Sequence, residues 1–213
     1  MSKRTIYFRA LETDDAYLIY KWKNDFEMMQ NAVGMKRPVS MAECIEWVTK
    51  RSKHDPFNYW FAICLNDGSG KMIGYTGINN IHFVNSSATS NALVIGDKEN
   101  RDGISWIEAN LMIYEFVFEK LHLNRFYGGF SETQHVTYMA SKLFYATIEG
   151  IERQGIWLEG AYHDMYLMSL LREEYMQHKI NGEYELPSLL KRYRKFIKEK
   201  SVKPEGSIIR TDL

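Results

Sequence analysis

The stretch I-G-D-K-E-N-R-D-G-I-S-W-I-E-A, Ile95–Ala109, carries the residue types and spacing with the most chemical content. It reads as a strand end, a tight loop and the start of a long amphipathic helix. Such a junction aims backbone N–H groups and the positive end of a helix dipole at one spot, where a phosphate or pyrophosphate can be held. Gly103 supplies one loop position free to take a positive φ. Beside it Ile104 is β-branched and resists positive φ, and the indole of Trp106 fills space at the helix mouth. A second reading needs no ligand: Asp102 caps the helix, or Ser105-x-x-Glu108 forms a capping box, and either uses the same N–H groups.

Groups able to move a proton are few. His82 stands near a strand end, and His135 and Tyr138 share a predicted helix. In a chain that is 14% aromatic, each competes with a plain packing role.

The elements that must position these groups follow from periodicity. Thr5–Leu11 alternates as a strand, and Thr13-Asp14-Asp15 caps a helix over Ala16–Lys23. Ser40-Met41-Ala42-Glu43 opens a second helix that runs to about Arg51. Tyr59–Leu65 and Lys71–Ile81 are strands joined by the Asn66-Asp67-Gly68 turn, and Thr89–Ile95 is a third. Ile107, Leu111, Tyr114, Phe118 and Leu121 then recur at helical spacing up to His122. Arg125–Phe130 is a strand and Thr133–Phe144 a helix. Two more strands, Ile148–Trp157 and Asp164–Leu171, turn at Glu159-Gly160. This order predicts an α+β fold: a mixed, mostly antiparallel sheet flanked by helices, with a β-α-β unit in the middle.

From about Gln177 the chain changes character. Leu186-Pro187-Ser188 starts a helix, and Lys191–Lys200 is strongly basic. One reading is contact with an anionic partner such as RNA. The other is a helix that docks Leu189, Leu190, Tyr193 and Ile197 on the body and solvates its charges.

With 213 residues the chain suffices for one sizeable core. A formal net charge of +0 argues against a general nucleic-acid surface. Cys44 and Cys64, far apart in apolar surroundings, fit buried thiols in a reducing compartment better than a disulfide or a metal pair. No apolar run is long enough to span a membrane and the N-terminus lacks a secretory pattern, so a cytoplasmic protein without a metal is expected.

Taken together, these pieces resemble the GCN5-related N-acetyltransferases (GNAT), in the group with ribosomal-protein N-terminal and nucleotide-aminosugar acetyltransferases. The likeness runs from about Thr5 to Tyr175. It is carried by F-R-A-L-E-T-D-D-A and Y-K-W-K-N-D (Tyr20–Asp25) at the start. I-G-D-K-E, Glu108-Ala109 and F-E-K-L-H-L-N-R-F (Phe118–Phe126) carry it in the middle. Glu149-Gly150, G-A-Y-H-D (Gly160–Asp164) and M-S-L-L-R-E-E-Y (Met168–Tyr175), read as closing strands, carry it at the end.

The resemblance implies a single GNAT domain over residues 1–176 and a basic, helical C-terminal extension over 177–213. It implies that acetyl-CoA's pantetheine pairs with the strand Ala92–Ile95, so that Leu93, Val94 and Ile95 bind it. The loop of Arg101, Asp102, Gly103, Ile104, Ser105 and Trp106 would wrap the pyrophosphate, with Thr133 contributing. Tyr138 would protonate the leaving thiolate, although it stands two positions early, and His82, on the expected substrate side, is a candidate acid/base group. Trp22, Asn24 and Asp25 would line the substrate. Arg172 and Glu173 would sit in the last strand. The chain departs from the family pattern at Ile104 and Trp106, and also at Ser90, Thr133, Ala140 and Phe144-Tyr145.

Three functions remain in view. The first is transfer of acetyl from acetyl-CoA to a primary amine on a nucleotide-linked sugar, a protein N-terminus or a small metabolite, by a chain that can act as a homodimer. The second is a non-catalytic member whose site is plugged by Trp106 and Asp102 and whose surface serves binding or assembly. The third, a nucleic-acid or ribosome-associated module using the basic C-terminal helix, is disfavoured by the charge balance.

Overall fold

The computed structural model describes residues 4–29, 37–90, 93–131, 133–158 and 160–199. The chain divides into two compact units, Met1–Gly128 and Gly129–Leu213. Ala92, Glu159 and Lys200, which figure in the sequence reading, lie outside the described residues.

In the first unit, β1 (Ile6–Ala10) pairs antiparallel with β2 (Tyr59–Leu65), and β2 with β3 (Met72–His82). β3 then pairs with both β4 (Ser87–Ser90) and β5 (Val94–Ile95). β4 runs parallel to the start of β6 (Arg125–Ser131), from Ser87 opposite Arg125 to Thr89 opposite Tyr127. Between them comes α4 (Ile104–Glu115), the crossover of the expected β-α-β unit. The remaining helices of this unit are α1 (Ala16–Lys23), α2 (Phe26–Met29) and α3 (Met41–Arg51).

Alternation along the strands sorts two cores onto the two faces of the sheet. Ala62, Cys64, Met72 and Tyr75 pack with Ile19 and Trp22 of α1 and Val48 of α3. Ile6, Ile63, Ile73 and Ile95 pack with Ala109 of α4. Ile73 is an extra residue: Ile63 opposes Gly74 while Cys64 opposes Met72, a β-bulge in β3.

The strand expected over Thr89–Ile95 is two strands. Ser90 opposes Ile78 and Val94 opposes Tyr75, so this segment holds one more residue than the stretch of β3 it faces, and the ladder breaks between them. α4 does not continue as a regular α-helix to His122. Its last turn, Phe116–Lys120, is a π-helix closed by the Leu121 N–H on the Phe116 carbonyl at 2.9 Å, and His122 ends it at φ 53°.

In the second unit, the end of β6 runs beside β8 (Ala161–Leu171), which pairs antiparallel with β7 (Thr147–Leu158). Its helices are α5 (His135–Leu143), α6 (Arg172–Ile180) and α7 (Leu186–Glu199). The closing strand therefore stops at Leu171. Arg172 and Glu173 open α6, where the Glu174 carboxylate accepts the Leu171 N–H at 2.9 Å and caps the helix. α7 docks through Leu189, which is fully buried, whereas Ile197 is 48% exposed and does not join the docked face. Together these elements make the α+β architecture of a mixed, mostly antiparallel sheet flanked by helices.

Candidate functional site

β5 has β3 on one side and, among the described residues, no strand on the other. The bulged Ile73 accepts two N–H groups, from Gly96 at 2.8 Å and Asp97 at 3.0 Å, and so pins the chain as it leaves β5. The alternation of an antiparallel ladder then turns the Ile95 N–H and carbonyl toward the open edge. Arg101 folds back onto that edge: Nε donates to the Ile95 carbonyl at 3.1 Å and Nη2 to the Gly96 carbonyl at 3.0 Å. Gly96 itself lies on the indole of Trp22, where an added Cβ would meet a ring carbon at 2.0 Å.

After Arg101 the chain turns into α4 through Gly103, at φ 85° and ψ −21°, the left-handed conformation that glycine adopts without strain. The Asp102 carboxylate accepts from the Ile104 N–H at 2.9 Å and from the Ser105 N–H at 3.4 Å. Of the two ligand-free readings, the Asp102 cap is the one formed. Ser105 and Glu108 make no capping box: Ser105 is buried inside α4, and Glu108 accepts from the N–H and hydroxyl of Thr5.

Charges tie this loop to its surroundings. Lys71 pairs with Asp97 and, at 3.6 Å, with Glu99; Lys98 pairs with Glu27 at 2.9 Å and Asp25 at 3.4 Å. Burial pushes the Asp97 carboxyl up, but the Lys71 ammonium and the Glu99 N–H outweigh it and hold the group below its ordinary range.

The residues expected to line the substrate have structural partners in this arrangement. Trp22 is 7% exposed and stacks on Tyr75 with centroids 6.3 Å apart. Asn24 ends α1, donating to the Tyr20 and Val39 carbonyls and accepting the Val39 N–H. Asp25 accepts from the Glu27 and Met28 N–H groups and so caps α2. The structure thus gathers Trp22, Asp25, Val94, Ile95 and Arg101–Trp106 around one loop.

Leu93 and Trp106 pack half-buried against the Ile6, Ile63, Ile73, Ile95 and Ala109 core. His82 stands exposed at the end of β3, and its Nδ1 accepts the Asn85 N–H at 3.0 Å. A neutral ring accepting at Nδ1 carries its proton on Nε2, so His82 as placed holds the turn and has no second acceptor nitrogen. In the second unit, Tyr138 is half-buried on α5 against Phe130, at 5.8 Å between centroids, with Lys142 Nζ 5.6 Å from its ring centre. Thr133 exchanges a hydroxyl contact of 2.9 Å with Ser131.

The brace of Arg101 on two carbonyls was not read from the sequence, because side-chain to backbone bonds within a loop leave no periodicity. Trp47 and Arg51, four residues apart on α3, were also passed over, although that spacing puts them on one face.

An open strand edge running into a helix N-terminus behind a left-handed glycine can hold an extended amide chain that ends in a pyrophosphate. Among the described residues no group of His, Cys, Asp and Glu is placed to hold a metal ion, and no helix is long and apolar enough to cross a membrane. No curated protein sequence matches the chain. Among solved structures, it is similar to the spermidine N-acetyltransferase from Vibrio cholerae in complex with CoA and spermine. The TM-score is 0.71 at 20% identity, over 81% of this chain and 98% of that one. It is equally similar to a GCN5-related N-acetyltransferase from Brucella melitensis, with a TM-score of 0.71 at 21% identity over 87% of this chain and 84% of that one. Both likenesses concern the fold. The family model described as "Acetyltransferase (GNAT) domain" matches residues 5–136, which cover β1 through α4 and into α5, and the chain belongs to that family.

Proposed function

We propose that the chain is an acetyl-CoA-dependent N-acetyltransferase acting on a primary amine. The observation that carries this is the meeting of the open β5 edge with the α4 N-terminus at Gly103. The residues present fit the donor. Ile95 offers a backbone N–H and carbonyl along the edge, and Ile104 and Ser105 offer N–H groups at the helix mouth, once Arg101 and Asp102 swing off them. The donor supplies an activated thioester. The chain supplies orientation, which alone is worth several powers of ten in rate, and a backbone donor for the oxyanion. Tyr138 is the proposed acid toward the departing thiol. Tyr138→Phe is expected to lower kcat about 100-fold, the lower end for a general acid, while acetyl-CoA affinity stays unchanged by calorimetry.

The amine itself could sit on a nucleotide-linked sugar, a protein N-terminus or a small metabolite, and the Vibrio cholerae neighbour is named for spermidine. Calorimetric titration with acetyl-CoA at about 100 μM, inside the usual range of enzyme KM values, tests the reading. Binding followed by release of free CoA thiol with an amine supports it. No heat at all removes it.

The Asp102 cap favours a second reading, a non-catalytic member in which Trp106 and Asp102 together plug the cofactor site and the surface serves binding or assembly. Under that reading acetyl-CoA fails to bind even when the carboxylate is taken away.

A further inference from the structure

On the face of the sheet opposite α4, Trp47 gathers two cations. Lys23 Nζ of α1 and Arg51 Cζ of α3 each lie 4.0 Å from the centre of its ring, and Arg51 Cζ lies 4.8 Å from that of Trp60. Among the described residues neither cation has an ion-pair partner. The Glu43 carboxylate acts on Lys23 from a distance but is held by Arg37, with one bond of 2.9 Å from Nη1 and a second from Nη2. Lys23 thus shares the field of one carboxylate with Arg37, which holds it. Arg51 uses Nη1 on the Trp47 carbonyl at 3.3 Å, while its Nε is buried with no acceptor.

Both features carry a cost. A buried N–H without a partner loses its hydration uncompensated, and two half-buried like charges repel. Burial lowers the pKa of both groups, and Arg51 adds to the effect on Lys23. Cation–π attraction offsets only part of this. An oxyanion drawn to the two cations would offset the repulsion.

This cation pair adjoins the loop already described. Trp47 meets Tyr75 edge-on at 5.6 Å, Tyr75 stacks on Trp22, and Trp22 lies on Gly96. Tyr75 also opposes Val94 of β5. A continuous aromatic band therefore leads from the β5 edge to Lys23 and Arg51.

We infer that Lys23 and Arg51 bind an oxyanion, a carboxylate or a phosphate, carried by the amine that the chain acetylates. The oxyanion site stands on its own geometry; its place in the acceptor rests on the acetyl-transfer reading. A polyamine, which would bring further positive charge to two unpaired cations, is selected against here.

The test titrates the full chain with phosphoethanolamine, β-alanine, ethanolamine and spermidine, followed by tryptophan fluorescence and by calorimetry. Phosphoethanolamine or β-alanine is expected to bind more tightly than ethanolamine, and the tighter of the two tells phosphate from carboxylate. Lys23→Met and Arg51→Met should each weaken that binding about tenfold, the value of one charge-assisted hydrogen bond. Arg51→Lys, which keeps a cation, should recover part of it, and Lys191→Gln on α7 should change nothing. Melting temperatures near wild type confirm that the variants fold. Anion binding that survives both Met variants, anion binding that is absent, or tighter binding of spermidine than of either acid overturns the inference. If the acids bind at Lys23 and Arg51 but acetyl-CoA neither binds nor turns over, the oxyanion site stands and the acetyl-transfer reading falls.

Discussion

Replacing Asp102 with Asn keeps an acceptor oxygen over the N–H groups of Ile104 and Ser105 but removes the charge that competes with a pyrophosphate. Asp102→Asn is therefore expected to bind acetyl-CoA several-fold more tightly by calorimetry, with a melting temperature close to wild type. Asp102→Ala removes the cap as well, at a cost of about 1 kcal/mol read as a lower melting temperature. Absent binding in both variants would favour the plugged reading, and binding unchanged from that of a binding wild type would remove the charge of Asp102 from the account. The neighbouring Gly103→Ala should cost about 1 kcal/mol through its left-handed backbone alone and weaken acetyl-CoA binding by tilting the loop. Most of this was readable beforehand: the Asp-Gly pair before an apolar helix announces both a cap and a left-handed residue. The competing Ser105-x-x-Glu108 pattern was equally good as a motif. It failed because Glu108 is drawn into the core by Thr5, more than a hundred residues earlier in the chain.

Between β5 and α4, the loop is held as much by ion pairs as by its own backbone. The Asp97 carboxyl lies below its ordinary 3.8 and Lys71 above its ordinary 10.5. A depressed carboxylate contributes stability that is present above about pH 3.8 and lost as pH falls through the lower folded value. A raised lysine contributes stability that is present below about 10.5 and lost as pH rises beyond it. Lys71→Met should therefore narrow its gap from wild type at both pH extremes, measured as melting temperature against pH, and leave the widest gap near neutrality. The sequence made the elements legible wherever periodicity was strong, as in α4 and the β2–β3 hairpin. It misled where a register fault or a cap decided the outcome. Nothing local to Thr89–Ile95 signals that the stretch of β3 opposite it is one residue shorter. Met168–Tyr175 reads as continuously strand-like until Glu174 reaches back to cap Leu171.

At the scale of the whole chain, a boundary at residues 176 and 177 would cut through α6 and remove packed structure from the second unit. Tyr184 is 4% exposed and donates to the Phe144 carbonyl at 2.8 Å. Arg192 donates to the Leu143 carbonyl at 3.1 Å, and Leu189 is fully buried. Ending the chain at Met176 should therefore lower the melting temperature of the second unit by several degrees, because buried apolar and hydrogen-bonded groups are lost together. The two thiols offer a way to watch the other unit separately. Cys44 and Cys64 are both buried, both raised in pKa by burial, and both in the first unit, whereas Trp157 is the one tryptophan of the second. A maleimide pulse on the native protein thus times the transient opening of the first unit alone, and hydrogen exchange of the β7 and β8 amides around Trp157 dates that of the second. A donor seated on β5 and α4 would slow the first clock and leave the second running at its own rate.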